Sequence, residues 1–284
     1  MPCELCDDYG WRPIEQNGVR RFTRCDCRRD KLGQQRLGDA NIPKRYQHCT
    51  IANFTIYNET LERAAAKARA IAEAFPVVSK GLFLEGQPGV GKTHLAVAVL
   101  RQIIQNTGAR GLFYDTRELL KLIRSTYDAS IRTTESEVLR PVMTADVLVL
   151  DDIGAEKTSE WVEETMNLIV NTRYNERRLT FFTSNYPDIP ESEGEINSLV
   201  ARVGYRMRSR LHEMCEFLEL DGADYRELPT NGGVEDLVMM WKKRKMTALP
   251  SPGRSGGRQA RAHLREPAHD VRADLKWPGG RAGS

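Results

Sequence analysis

Eight consecutive residues, Gly86, Gln87, Pro88, Gly89, Val90, Gly91, Lys92 and Thr93, satisfy the pattern G-x-x-x-x-G-K-[S/T] at each fixed position. Glycines let backbone N–H groups curl around phosphate oxygens, where a side chain would collide. In this pattern Lys92 reaches the β- and γ-phosphates and the Thr93 hydroxyl binds Mg²⁺. The loop also opens a helix, whose positive N-terminus favours an anion. A second group follows the apolar run Val147-Leu148-Val149-Leu150, which ends in Asp151 and Asp152. An apolar strand that ends in two acids brings carboxylates to the sheet edge beside the phosphate loop. There Asp151 takes the Mg²⁺ role, and Asp152 orients or deprotonates an attacking water. The run Leu179–Thr183 delivers Ser184 and Asn185 to the same edge. Asn185 can hydrogen-bond that water or the γ-phosphate, or can be a turn residue before Tyr186-Pro187.

A third group is the cysteines. Cys3-x-x-Cys6 and Cys25-x-Cys27 bracket 18 residues. Four clustered thiols beside a phosphate loop favour a metal over disulfides, and two close pairs can offer four thiolates to a tetrahedral Zn²⁺. Such an ion would fold a segment that lacks a core of its own. Reduced, uncoordinated cysteines are the alternative. Cys49 and Cys215 lack sequence partners and read as small buried residues. Around the pairs Arg12, Arg20, Arg21, Arg24, Arg28 and Arg29 alternate with Tyr9, Trp11 and Phe22. That mixture suits a single nucleic-acid strand, or another protein.

The elements that must position these groups are legible in the middle of the chain. Apolar spacing predicts helices over 59–74, 92–105, 117–127, 161–176 and 198–212. Strands are predicted at 81–85, 111–114, 147–150, 179–183 and 216–220. Their alternation means an α/β three-layer sandwich around a parallel sheet. The chain divides into a Cys-rich zinc-binding segment and linker (1–50), the α/β domain (51–230) and a basic, mostly disordered tail (231–284). Charge follows that division: from Trp241 onward 11 Lys/Arg face 3 Asp/Glu, whereas residues 1–240 carry 31 against 36. The basic surplus marks an anionic partner for the tail or a solvated extension. With 284 residues and 40% hydrophobic composition, a sizeable core is available and wholesale disorder is excluded. No apolar run of about 18 residues or basic-then-apolar leader occurs, which predicts a cytoplasmic protein without a membrane partner.

Taken together, the order of phosphate loop, Asp-Asp, Thr-Ser-Asn and an Arg-rich helix resembles the AAA+ ATPases. Ile42-Pro43-Lys44-Arg45-Tyr46, Asn53-Phe54, Gly91-Lys92-Thr93-His94-Leu95-Ala96 and Leu150-Asp151-Asp152-Ile153-Gly154 narrow the likeness. So do Thr183-Ser184-Asn185-Tyr186-Pro187, Arg206-Met207-Arg208-Ser209-Arg210-Leu211 and Asp224-Tyr225-Arg226. They are similar to the helicase-loader branch that contains DnaC, DnaI and the transposition ATPase IstB, over about residues 40–227. The resemblance implies a P-loop AAA+ sandwich without a full helical lid, and ATP hydrolysis with Mg²⁺ in a homo-oligomer. It implies that Arg210, or else Arg206, reaches the γ-phosphate held by a neighbouring subunit. Arg208 is expected on a solvated helix face, and Arg226 as a sensor toward the nucleotide. It further implies that the N-terminal segment grips a DnaB-type replicative helicase while the ATPase domain contacts single-stranded DNA. The expected role is an ATP-dependent helicase loader in replication initiation. An IstB-like transposition helper and a nucleotide-gated scaffold with negligible turnover are the alternatives.

Overall fold

The computed structural model describes residues 3–248 except 8, 17–18, 129, 131, 158 and 190–197. A hairpin of β1 (Trp11–Gln16) and β2 (Val19–Arg24) is followed by helices α1 (Asp26–Gly38) and α2 (Glu59–Ala74). Then come β3 (Gly81–Gly86), α3 (Lys92–Thr107), β4 (Gly111–Asp115), α4 (Thr116–Ser125) and α5 (Glu135–Thr144). The chain continues through β5 (Val147–Asp151), α6 (Glu160–Asn175), β6 (Leu179–Ser184), α7 (Leu199–Met214), β7 (Cys215–Leu220) and α8 (Val234–Ala248).

Strands β3 to β7 form one parallel sheet in the order β4-β5-β6-β3-β7. Successive side chains of a strand point to opposite faces, so each strand feeds two cores. Leu82, Leu84, Val147, Val149 and Phe181 pack with α2 and α3 on one face. Phe83, Leu148, Leu150 and Phe182 pack with α4, α5, α6 and α7 on the other. Both faces are covered, which is why the strands read as unbroken apolar runs. Three layers result, as expected, and each of the ten elements predicted in the middle of the chain is present within two residues of its bounds.

The strand order has a consequence for chemistry. β6 lies between β5, which ends in the acids, and β3, which leads into the phosphate loop. Whatever follows β6 is therefore wedged between the two.

Three regions differ from expectation. Residues 33–50 are not a linker: Ala40, Cys49, Leu37, Ile42 and Tyr46 join the α2–α3 core, and Phe113 N–H donates to Ala40 O at 2.8 Å. Helix α1 packs on α3 through Gly33, whose Cα faces the Gln105 backbone too closely for a Cβ to fit comfortably. Residues 234–248, assigned by composition to the tail, form α8, with Leu237 buried. The extension beyond residue 248 lies outside the described residues. Helix α7 is broken at Gly204, whose φ of 79° and ψ of 158° are closed to a β-carbon residue at low cost. Among the described residues no helix is long and apolar enough to cross a membrane.

Candidate functional site

The phosphate loop joins β3 to α3, and its glycines take the conformations the motif requires. Gly86, Gly89 and Gly91 have φ of 141°, 78° and 101°. A Cβ on Gly86 would stand 2.1 Å from Leu220 O, and one on Gly89 1.7 Å from Asp224 Oδ1. Lys92 begins α3 and is buried. Its Nζ donates to Gly86 O, Gln87 O and Asn185 Oδ1, each at 2.8 Å. That uses all three ammonium protons. Burial draws its pKa down to about 8, against the pull of Asp152 and Asp151.

Asn185 is the wedge that the strand order predicts. Its Oδ1 accepts from Lys92 while its Nδ2 donates to Asp152 Oδ1 at 2.5 Å. The Asp152 carboxylate is completed by Arg117 of α4, with Nη2 3.2 Å from Oδ2. Asp152 itself has a φ of 58°, and its backbone N–H donates to Thr183 Oγ1 at 2.8 Å. The same Thr183 hydroxyl donates to Asp151 Oδ1 at 2.6 Å. Asp151 Oδ2 accepts from the Thr93 hydroxyl at 3.2 Å. Burial raises Asp151 to about 6, with hydrogen bonds from Thr183 and Thr93 opposing. Burial also raises Asp152, against Arg117 and Lys92.

Lys92, Thr93, Asp151, Asp152, Thr183 and Asn185 line one end of a cavity of about 740 Å³. Its other end gathers the apolar side chains Phe54, Tyr57 and Ala223, from segments outside the phosphate loop, with Val90 of the loop, alongside the polar Arg45, His48, Asn53 and Thr55. His94, on the first turn of α3, holds the 50–57 segment in place through Nε2, 3.0 Å from both Thr50 O and Asn53 Oδ1. The Asp224–Arg226 turn is stitched to the loop by Tyr225 N–H to Gly89 O at 3.1 Å, and Arg226 lines the cavity.

Sequence reasoning missed Thr183, Arg117 and Tyr57 as site residues. Thr183 had a signal, since it is a hydroxyl at the end of a buried strand. Tyr57 and Arg117 had none short of the tertiary contact.

Arg206 and Arg210 do not line the cavity. Arg210 Nη1 turns back to its own helix at Arg206 O, 3.3 Å away. Arg208 is not on a solvated face, which corrects the expectation. It is three-quarters buried and forms a two-pronged pair with Asp188 at 2.6 and 2.5 Å, to which His212 Nε2 adds a contact at 2.9 Å. Arg208 lies one turn beyond the break at Gly204 and meets Asp188 in the segment after β6.

The four N-terminal cysteines are brought together. Their sulfurs all lie within 4.8 Å of one another, with Cys3 3.7 Å from Cys25 and Cys6 3.2 Å from Cys27. A disulfide needs about 2.05 Å. Four thiolates around one Zn²⁺ at 2.3 Å stand about 3.8 Å apart, so the donor set suits that ion. Burial works against ionisation of Cys6, yet hydrogen bonds led by Cys27 bring its thiol down to about 7. Cys49 and Cys215 are buried, as expected.

The sequence matches the model of the IstB-like ATP binding protein family over residues 27–229. The chain belongs to this family. Within it the chain is similar to a protein named replicative helicase loader DnaC from Buchnera aphidicola subsp. Schizaphis graminum (strain Sg). Identity is 29% over 175 residues, covering 62% of this chain and 69% of that relative. The Escherichia coli (strain K12) protein of the same name is 28% identical over 152 residues, covering 54% of this chain and 61% of that one. A crystal structure of the DnaC helicase loader superposes with a TM-score of 0.56 at 36% identity, over 63% of this chain and 99% of that chain. The chain thus spans about three-fifths of the length of the Escherichia coli relative. Family membership accounts for the phosphate loop and the five-stranded parallel sheet; it begins where the cysteine hairpin ends and stops before α8.

Proposed function

We propose that the protein is an ATP-dependent loader of a DnaB-type replicative helicase onto single-stranded DNA. The observation that carries the ATPase half is the chain Lys92–Asn185–Asp152, with Asp151 held between Thr93 and Thr183 beside it. Gly86 to Thr93 bind the phosphates. Thr93 and Asp151, hard oxygen donors 3.2 Å apart, would hold Mg²⁺. That ion supplies charge neutralisation to the phosphates when bound.

Asp152 accepts the proton of the attacking water. Asn185 fixes its carboxylate and ties its position to that of Lys92, so that the base is set when the phosphate end is set. Arg117 supports the same carboxylate from α4, and Arg226 reads the phosphate end from the turn after β7. Completion of the site by Arg210 of a neighbouring subunit in a homo-oligomer, with Arg206 as the second candidate, is consistent with both lying outside their own cavity.

The helicase half rests on relatives named replicative helicase loader DnaC. Zn²⁺ held by Cys3, Cys6, Cys25 and Cys27 would keep the N-terminal hairpin folded as the helicase contact, while the ATPase body contacts DNA. The name of the matching family favours a second reading, a transposition helper that remodels target DNA. Steady-state ATP turnover tests the enzyme assignment. Asp152→Asn is expected to lower kcat by at least about 100-fold and leave ATP affinity within about twofold. Turnover that survives this change contradicts Asp152 as the base.

A further inference from the structure

Helix α8 lies beyond the residues matched by the family, yet it is fastened to the wall of the cavity. The wall is made from two pieces. One is Tyr57, which lines the apolar end, and whose hydroxyl accepts the Ala223 N–H at 2.8 Å. The other is the strap Asp221–Ala223 that leaves β7 and runs on to the cavity-lining Tyr225 and Arg226. A Cβ on Gly222 would come 2.5 Å from the Tyr57 hydroxyl, so the strap and the ring are in close register.

Three side chains of α8 converge on these pieces. Trp241 Nε1 donates to Asp221 Oδ2 at 2.9 Å, and its ring meets the Tyr57 ring edge-on at 6.2 Å between centroids. Arg244 Nη1 donates to Gly222 O at 2.7 Å. Lys245 Nζ lies 3.1 Å from Asp221 Oδ2 and 4.4 Å from the centre of the Trp241 ring. None of the three lines the cavity.

We propose that α8 is a brace for the base-binding end of the cleft. Trp241 and Arg244 are positioning residues that hold the Tyr57 ring and the 221–223 strap against the base, so the helix sets nucleotide affinity without touching nucleotide. A single helix thereby backs a wall that the body itself supplies. The inference rests on the nucleotide reading of the cavity. It separates the two ends. None of Trp241, Arg244 and Lys245 bonds to the phosphate loop, which is built on β3 and α3 and meets the strap further along at Tyr225 N–H to Gly89 O. Tyr57 and residues 221–223 at the apolar end are held by α8 directly.

Coupling between a helix and a ligand is reciprocal, so bound nucleotide must stabilise α8 by the factor through which α8 favours nucleotide. The test is calorimetric titration of the full-length protein with ADP and, separately, with inorganic triphosphate, which has no base. Hydrogen exchange of α8 is measured with and without ADP. Trp241→Ala and Arg244→Ala are expected to weaken ADP about tenfold and leave triphosphate within about twofold, in the range of coupling between sites. Trp241→Phe, which keeps a ring beside Tyr57 and loses the bond to Asp221, should fall between. ADP should slow exchange along α8 in the unmodified protein. Unchanged ADP affinity in the variants, equal weakening of both ligands, or α8 exchange indifferent to ADP would each overturn the proposal. An unmodified protein that binds neither ligand would instead overturn the nucleotide reading beneath it.

Discussion

Thr183 shows how much of the site hangs on one hydroxyl: it donates to Asp151 and accepts from the backbone of Asp152, so both acids are placed by a neighbouring strand. The acids and the phosphate loop were legible because each is a contiguous motif whose chemistry is local. The groups that orient them come from distant segments, and only folding puts them alongside. Glu85 is a residue whose surroundings were invisible in the sequence. It ends β3 next to the phosphate loop, with Oε2 buried and unpartnered among the described residues. Burial raises it to about 7, and the charges of Asp188 and Glu219 push the same way, while a hydrogen bond from the Asp188 backbone and the charge of Arg208 oppose. An acid whose folded pKa is raised is favoured when protonated, so its fold loses stability as pH rises from its unfolded value near 4.5 through about 7. Glu85→Gln removes the charge. Thermal unfolding should give equal Tm for the two proteins at pH 5 and a Tm about 2–4 °C higher for the variant at pH 8. A pH-independent difference would contradict the assigned titration.

Among the elements, those of the two-sided core other than α5 were predicted to within two residues, because burial on both faces writes unbroken apolar runs and regular helical stripes. The elements that were missed have short or interrupted stripes for particular reasons. α1 packs on α3 through a glycine, α5 contains Pro141, and α8 buries Leu237 in a charged sequence. In α5 the reciprocal cap of Thr134 and Glu137 was the available signal. The β1–β2 hairpin carries Pro13 and exposes Phe22, and among the described residues none of its side chains joins a core cluster. Its support is the cysteine cluster. Metal analysis of the purified protein should therefore find one Zn²⁺ per chain. Chelation, or Cys6→Ser with Cys25→Ser, should expose the hairpin to proteolysis while the body from residue 33 onward stays folded. A protein that holds no metal with the hairpin protected would refute the zinc assignment.

At the scale of the whole molecule, the cavity supplies phosphate loop, acids and base wall from one chain, while Arg206 and Arg210 face elsewhere. A site completed by a second subunit accounts for both facts. Arg210→Ala should lower turnover about 10³-fold without weakening ATP binding, and so should no other helix-face arginine to that extent. Mixing it with a Lys92→Ala protein should restore measurable turnover, since one subunit then contributes an intact cavity and its neighbour an intact arginine. Two inactive proteins that stay inactive when mixed would argue against Arg210 acting across an interface. The direct measurement of the central claim is size-exclusion mass and ATP turnover of the full-length protein with and without a purified DnaB-type helicase and single-stranded DNA. A stable complex with the helicase in Mg-ATP, whose turnover responds to the DNA strand, is the predicted result. No helicase complex under any nucleotide condition would contradict the loader, and assembly stimulated by DNA alone would transfer the assignment to the transposition helper.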